Sequence, residues 1–251
     1  MSRLKKPPKD LREAIVAESL KIVEKRGVEA LSMREVARRL GVSHQAPYKH
    51  FESRDHILAE MISRAYDSFA AHLELKSRAP GVDDEMREMG LAYFEYAAKH
   101  PLQYRLMFST PLPTLDDHPD MMRRAHRCYS LLLESIAKLP TTQAAENPAE
   151  RTQRDALFVW SSIHGLASAL QSDAIKTMDM SKETLANAIP HTLMRIGAAM
   201  AGELLDKATA PTAAAGGASS GAVEIARKPR SNRSRKEGQP KRRTSEKVVR
   251  K

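Results

Sequence analysis

Residues 32–51, SMREVARRLGVSHQAPYKHF, read as two short helices joined by a tight turn. Ser32 with Glu35 three residues later makes a capping box, which predicts a helix starting at Ser32. Val36, Ala37 and Leu40 give that helix one apolar face, and Gly41 suits the left-handed position that ends it. Val42 suits a buried place in the turn, and Ser43 is the expected cap of the second helix. This second helix is expected to expose His44, Gln45, Tyr48 and Lys49, with Phe51 anchoring its far end in the core. A short helix with such an outer face, crossed by a capped partner, has the shape a major groove admits. The pattern is a helix-turn-helix, and it makes double-stranded DNA the expected partner.

The flanks extend this unit. Leu11, Ile15, Val16, Leu20, Ile22 and Val23 predict a preceding amphipathic helix ended by Gly27. Ser53 caps a further helix through Ile57, Leu58, Met61, Ile62, Tyr66 and Phe69, with Asp55 in its first turn. The run GVEALSMREVARRLGVS, then YKHF, then Ser-Arg-Asp, in this order and spacing, resembles the amino-terminal domain of the TetR/AcrR family of bacterial transcriptional regulators over residues 10–58. The resemblance implies an all-α chain: a three-helix DNA-binding domain over residues 1–56 and a helical effector-binding and dimerisation domain over 57–207. The remaining 208–251 are expected to form a flexible linker and a disordered basic tail.

Charge is spread unevenly along the 251 residues. Residues 1–55 hold 13 Lys and Arg against 8 Asp and Glu, and residues 56–226 hold 16 against 21. Residues 227–251 hold 12 against 2. Both ends therefore suit a polyanion and the middle does not. The linker at 208–222 is Ala, Gly, Ser, Thr and Pro, and the basic segment after it is too poor in apolar residues to offset the cost of ordering. It is expected either to add nonspecific phosphate contacts or to be a solvated tail without a role.

Beyond residue 70, apolar residues recur at three and four. Helices are expected over about 83–99, 102–108, 121–139, 151–173 and 181–205, with a polar linker from Pro140 to about Ala149. Pro190 is expected to kink or divide the last of these. The stretch AYFEYAAKHPLQYRLMFS at 92–109, with Trp160, His164 and Gly165, resembles the regulator subgroup named for a shared Trp, His and Gly (WHG). That implies an effector-binding domain without naming the effector. In the family the last two helices form a four-helix bundle with a second subunit, which implies a homodimer on a palindromic operator.

Roles in the reading head follow partly from the family match and partly from chemistry. His44, Gln45 and Ala46 are expected at base edges: Gln45 suits adenine and Ala46 a thymine methyl. Arg34 matches a family position that reaches a base. Ser32, Ser43, Tyr48, Lys49, His50 and Arg54 are expected at phosphates, which set register without reading sequence. For His50 a structural role at the helix end is an equal alternative, and Tyr48 could be half-core. Pro47 is expected to cost little in a first turn.

For the effector, Trp160 and His164 share a helix face. With Tyr93, Tyr96, Met107, Met121, Met122, His126 and Tyr129 they are candidates to line a mainly apolar cavity with His164 as a polar anchor. An ordinary Trp160–His164 core pair is the competing expectation.

No Gly-rich phosphate loop, HExxH, CxxC or nucleophile elbow occurs, so no enzyme, cofactor or metal is expected. The single Cys128 is expected in the core. Lys5, Lys6 and Lys9 precede an amphipathic rather than apolar segment, and no run of ~20 apolar residues could span a bilayer. The cytoplasm, with nucleoid association when bound to DNA, is the expected location. The rivals are a low-specificity architectural DNA-binding protein using the basic tail, and a helical enzyme or carrier.

Overall fold

A computed structural model describes residues 10–76 and 82–202, and all regular structure within them is helical. The expected linker and basic tail over 208–251, and the expected end of the last helix at Leu205, lie outside the described residues.

The head comprises α1 (Leu11–Arg26), α2 (Met33–Leu40) and the start of α3 (Arg54–Lys76). Asp10 caps α1, and Gly27 ends it at φ 78°. Ser32 caps α2 by accepting from the Glu35 amide, and Gly41 closes it at φ 69° in the left-handed region, as the sequence predicts. The Ser53 hydroxyl accepts from the amides of Asp55 and His56 and so starts α3. Ile15, Ile22, Val36, Ile57 and Ile62 meet with no exposed surface, which fixes the three helices around one centre.

The second helix of the expected pair does not form. Residues 44–46 are a turn, followed by a single 3-10 turn at Pro47–Lys49. The reason is positional. With Ser43 as cap, residue 47 is the first whose N–H would bond back inside an α-helix, and proline has no N–H to give. The first-turn allowance for proline ends one residue earlier.

In the body, α4 (Val82–Lys99), α5 (Pro101–Phe108) and α6 (Pro119–Ala137) pack on α3. α8 (Pro148–Gln171) packs on α4, α6 and α9 (Lys182–Met200). Pro101, Pro119 and Pro148 open their helices, where a missing N–H costs nothing. Pro140 does the same for a one-turn α7 (Pro140–Gln143) within the stretch expected as linker. That turn anchors α9, because the Thr141 hydroxyl donates to the Met200 carbonyl at 2.8 Å. α9 runs through Pro190 without dividing. Buried tyrosines tie the layers: Tyr96 donates to the Ala65 carbonyl and Tyr66 to the Met107 carbonyl, each at 3.2 Å.

Candidate functional site

The candidate reading face lies between α2 and α3. Phe51, 5% exposed, and the buried Pro47 pin its turn to the core. His44, Gln45, Tyr48, Lys49 and His50 are exposed around it, while Ala46 is half-buried. Tyr48 is 50% exposed, so its ring is not part of the core. Arg34 is exposed on α2, and Ser43 is exposed with its carbonyl accepting from the Ala46 amide at 3.0 Å. Two of the expected phosphate-binding residues have structural partners. The Ser32 hydroxyl caps α2. Arg54 donates to the Val28 carbonyl at 2.9 Å, holding the 3-10 turn Val28–Ala30 against α3.

Charge beneath this face is organised by Glu35. Its carboxylate accepts from Arg38 and Arg39 and from Arg26, at 2.8 to 3.4 Å. The hydrogen bonds from Arg38 and Arg39 hold its pKa down to about 2. Arg39 also reaches Glu18 of α1 at 3.1 Å. Arg39, its side chain 25% exposed, is thus held between Glu35 and Glu18, while Arg38 at 66% stays a surface side chain paired with Glu35.

The body contains a cavity of about 980 Å³ among α3, α4, α5, α6, α8 and α9. Most of its wall is apolar or aromatic, including Phe69, Leu73, Met89, Phe108 and Ile163. Of the residues expected there, Tyr93, His126, Tyr129 and Trp160 line it. Tyr96, Met107, Met122 and His164 do not, and neither does Met121. Tyr96 is fully buried with its hydroxyl committed to Ala65, and Met107 and Met121 are core residues at 3% and 1% exposure. Met122 packs half-buried against the core.

His164 stands behind the wall. The hydroxyl oxygens of Tyr93 and Tyr104 lie 2.9 and 2.8 Å from its Nδ1, and its ring lies 5.6 Å from that of Trp160. Burial lowers the imidazole pKa and raises that of the Tyr93 hydroxyl, so both groups are neutral near pH 7. The histidine therefore orients Tyr93, which in turn faces the cavity. Cys128, expected in the core, is half-buried on the wall. Its thiol donates to the Tyr66 carbonyl, and burial pushes its pKa up to about 12, which leaves it protonated and unreactive.

Comparison with known proteins now bears on both regions. Residues 15–61 match the family model described as bacterial regulatory proteins, tetR family. Residues 86–193 match the model of the tetracyclin repressor-like C-terminal domain. Together the two cover more than half of the chain. The chain belongs to the TetR family. As a TetR-family protein it is a DNA-binding transcriptional regulator. The carboxy-terminal match does not confirm the Trp-His-Gly subgroup.

This TetR-family chain is 24% identical over 160 residues to an HTH-type transcriptional regulator of Mycobacterium tuberculosis, covering 64% of the chain and 70% of that protein. It covers about half (51%) of three further mycobacterial regulators at 28% identity. Two solved structures share the fold. A Rhodococcus protein of unknown function has a TM-score of 0.63 at 22% identity, over 76% of this chain and 96% of its own. The TetR-family regulator PfmR of Thermus thermophilus has 0.52 at 19% identity, over 74% and 97%.

Two features of the TetR-family body escaped the sequence reading. Tyr104 completes the His164 cluster from α5, and only the fold brings it there. Gly90 of α4 receives the end of the Leu193 side chain of α9, a terminal methyl that a Cβ there would meet at 2.5 Å and displace.

Proposed function

We propose that this regulator is a homodimeric repressor that holds a palindromic operator until a small, mainly apolar molecule enters the cavity. In this reading residues 1–56 form the head, 57–207 the effector and dimer body, and 208–251 a linker and basic arm. The observation that carries it is the course of α3. Its capped start stands beside the reading turn, and Tyr66, Phe69 and Leu73 further along it form cavity wall. A ligand that favours one position of α3 favours one spacing of the two heads.

A dimer through α8 and α9 is supported by their outward faces. Phe158 is 44% exposed clear of the cavity, while Leu157, Trp160 and Met194, at 56%, 37% and 61%, are exposed at the cavity wall itself. Nothing lies within 4 Å of a Cβ at Gly165, which suits close approach by a partner helix. Gln45 and Arg34 are the residues proposed for base contact, with His44 and Ala46 beside Gln45. Ser43, Tyr48, Lys49 and His50 are proposed at phosphates.

Light scattering of the full chain combined with footprinting of its own upstream DNA tests the reading. The expected result is a dimer protecting two inverted half-sites about one helical turn apart, released by an apolar compound that also raises the melting temperature. A monomer, or protection without symmetry, would overturn it. The basic segment at 227–251 favours a second reading, an architectural protein of low specificity. In that case specific and random duplexes would bind about equally.

A further inference from the structure

The turn that replaces the second head helix changes which side chains can act together. Its backbone closes by three-residue bonds: the Ala46 amide to the Ser43 carbonyl (3.0 Å), Lys49 to Ala46 (3.3 Å) and His50 to Pro47 (3.0 Å). The Phe51 amide shares the Pro47 carbonyl at 3.0 Å. Gln45 and Lys49 are four residues apart. In an α-helix they would stand about 40° from each other around the axis. Here Gln45 lies in the turn at 44–46 and Lys49 in the separate 3-10 turn Pro47–Lys49, so no continuous helix holds the two in one register. The side chain suited to a base edge and the side chain suited to a phosphate therefore leave the common face that an α-helix would give them.

We propose that Pro47 is a specificity-determining residue. By withholding the first helical N–H it confines base contact from this segment to His44, Gln45 and Ala46, and it turns Tyr48 and Lys49 toward the flanking phosphates. Each half-site then specifies fewer base pairs than an α-helical element of the same length would read. This rests on the sequence-reading role of the head, and it adds to that role the residue that limits it.

The test is selection from a randomised duplex pool by the full chain, by Pro47→Leu and by Pro47→Ala. Leucine keeps a buried apolar side chain and restores the N–H, while alanine restores it without the risk of overpacking. Melting curves and far-ultraviolet circular dichroism verify that each variant is folded. The expected result is one or two additional specified base pairs per half-site in a folded variant, with each protein preferring its own consensus by tenfold or more. Protection of the new residue 47 amide from hydrogen exchange is the accompanying sign that the helix has wound. An unchanged consensus with an equal loss of affinity for all sequences would overturn the proposal and leave Pro47 a packing residue. Failure of the wild-type chain to select any consensus would instead overturn the sequence-reading role together with it.

Discussion

The guanidinium of Arg12 lies 5.0 Å from the centre of the Phe51 ring, and Phe51 is the residue that ends the reading turn. The same guanidinium donates to both carboxylate oxygens of Glu60 on α3, at 3.1 and 3.0 Å. One side chain of α1 thus touches the end of the turn and the helix that leads to the cavity. Burial alone would raise the Glu60 pKa, but hydrogen bonds from Arg12 and Arg64 outweigh it and lower it.

Arg12→Ala is expected to destabilise the head by about 1 kcal/mol, since a half-exposed cation–π contact and a bidentate pair are each worth less than that. Arg12→Lys should recover only part of the loss, because an ammonium cannot make the planar two-point contact. Urea denaturation midpoints measure both. Equal midpoints for wild type and Arg12→Ala would show that the contact does not stabilise the head.

Gln45→Ala and Lys49→Ala should separate reading from holding. The first is expected to relax preference at one base pair of each half-site by about 1–3 kcal/mol while weak binding persists. The second should weaken all sequences alike and reduce the salt slope by about one unit. Titrations of matched and mismatched duplexes at several salt concentrations distinguish them. A sequence-dependent effect of Lys49→Ala would reverse the assignment.

His164 gives the body a pH dependence of defined sign. Its folded pKa lies below the ordinary 6.5, so the unfolded chain takes up the proton first as pH falls. Stability from this group is complete above about 6.5 and declines between there and the lower folded value. Wild type should therefore lose more thermal stability than His164→Gln between pH 7.5 and 5.5. Parallel pH profiles for the two proteins would sink the argument.

Removing residues 208–251 takes away the most basic stretch of the chain. If that stretch binds phosphates, the deletion should weaken DNA binding at low salt and flatten the dependence of log K on log salt. An unchanged slope would assign it no part in binding.

Local signals in the sequence were legible where the physics is local. Ser32, Gly41 and Ser53 each act within four residues, and their caps are found where expected. The helices of the body followed from apolar spacing for a similar reason. Pro47 sits one position beyond the first turn, where its missing N–H falls on the first intrahelical bond. The cavity wall was harder, because which face of a helix is covered depends on its neighbours. α8 buries Ala156, Val159, Ile163 and Ala167, while Leu157 and Trp160, equally apolar, are exposed. Tyr96 and Met107 have the chemistry of pocket residues, but they are sealed by α3 and its contacts, which no spacing along α4 or α5 could reveal.

α3 extends unbroken for 23 residues, roughly 34 Å. Arg64 on this helix bonds Glu13 of α1 at 2.6 Å and Glu60 at 2.8 Å, so the ties that seat α1 reach well past residue 56. A chimaera built by exchanging heads at that residue would inherit α1 from one parent and its clamp from the other. To transplant this head with its seat intact, the junction must fall after Arg64, and the first turns of the helical body must travel with it.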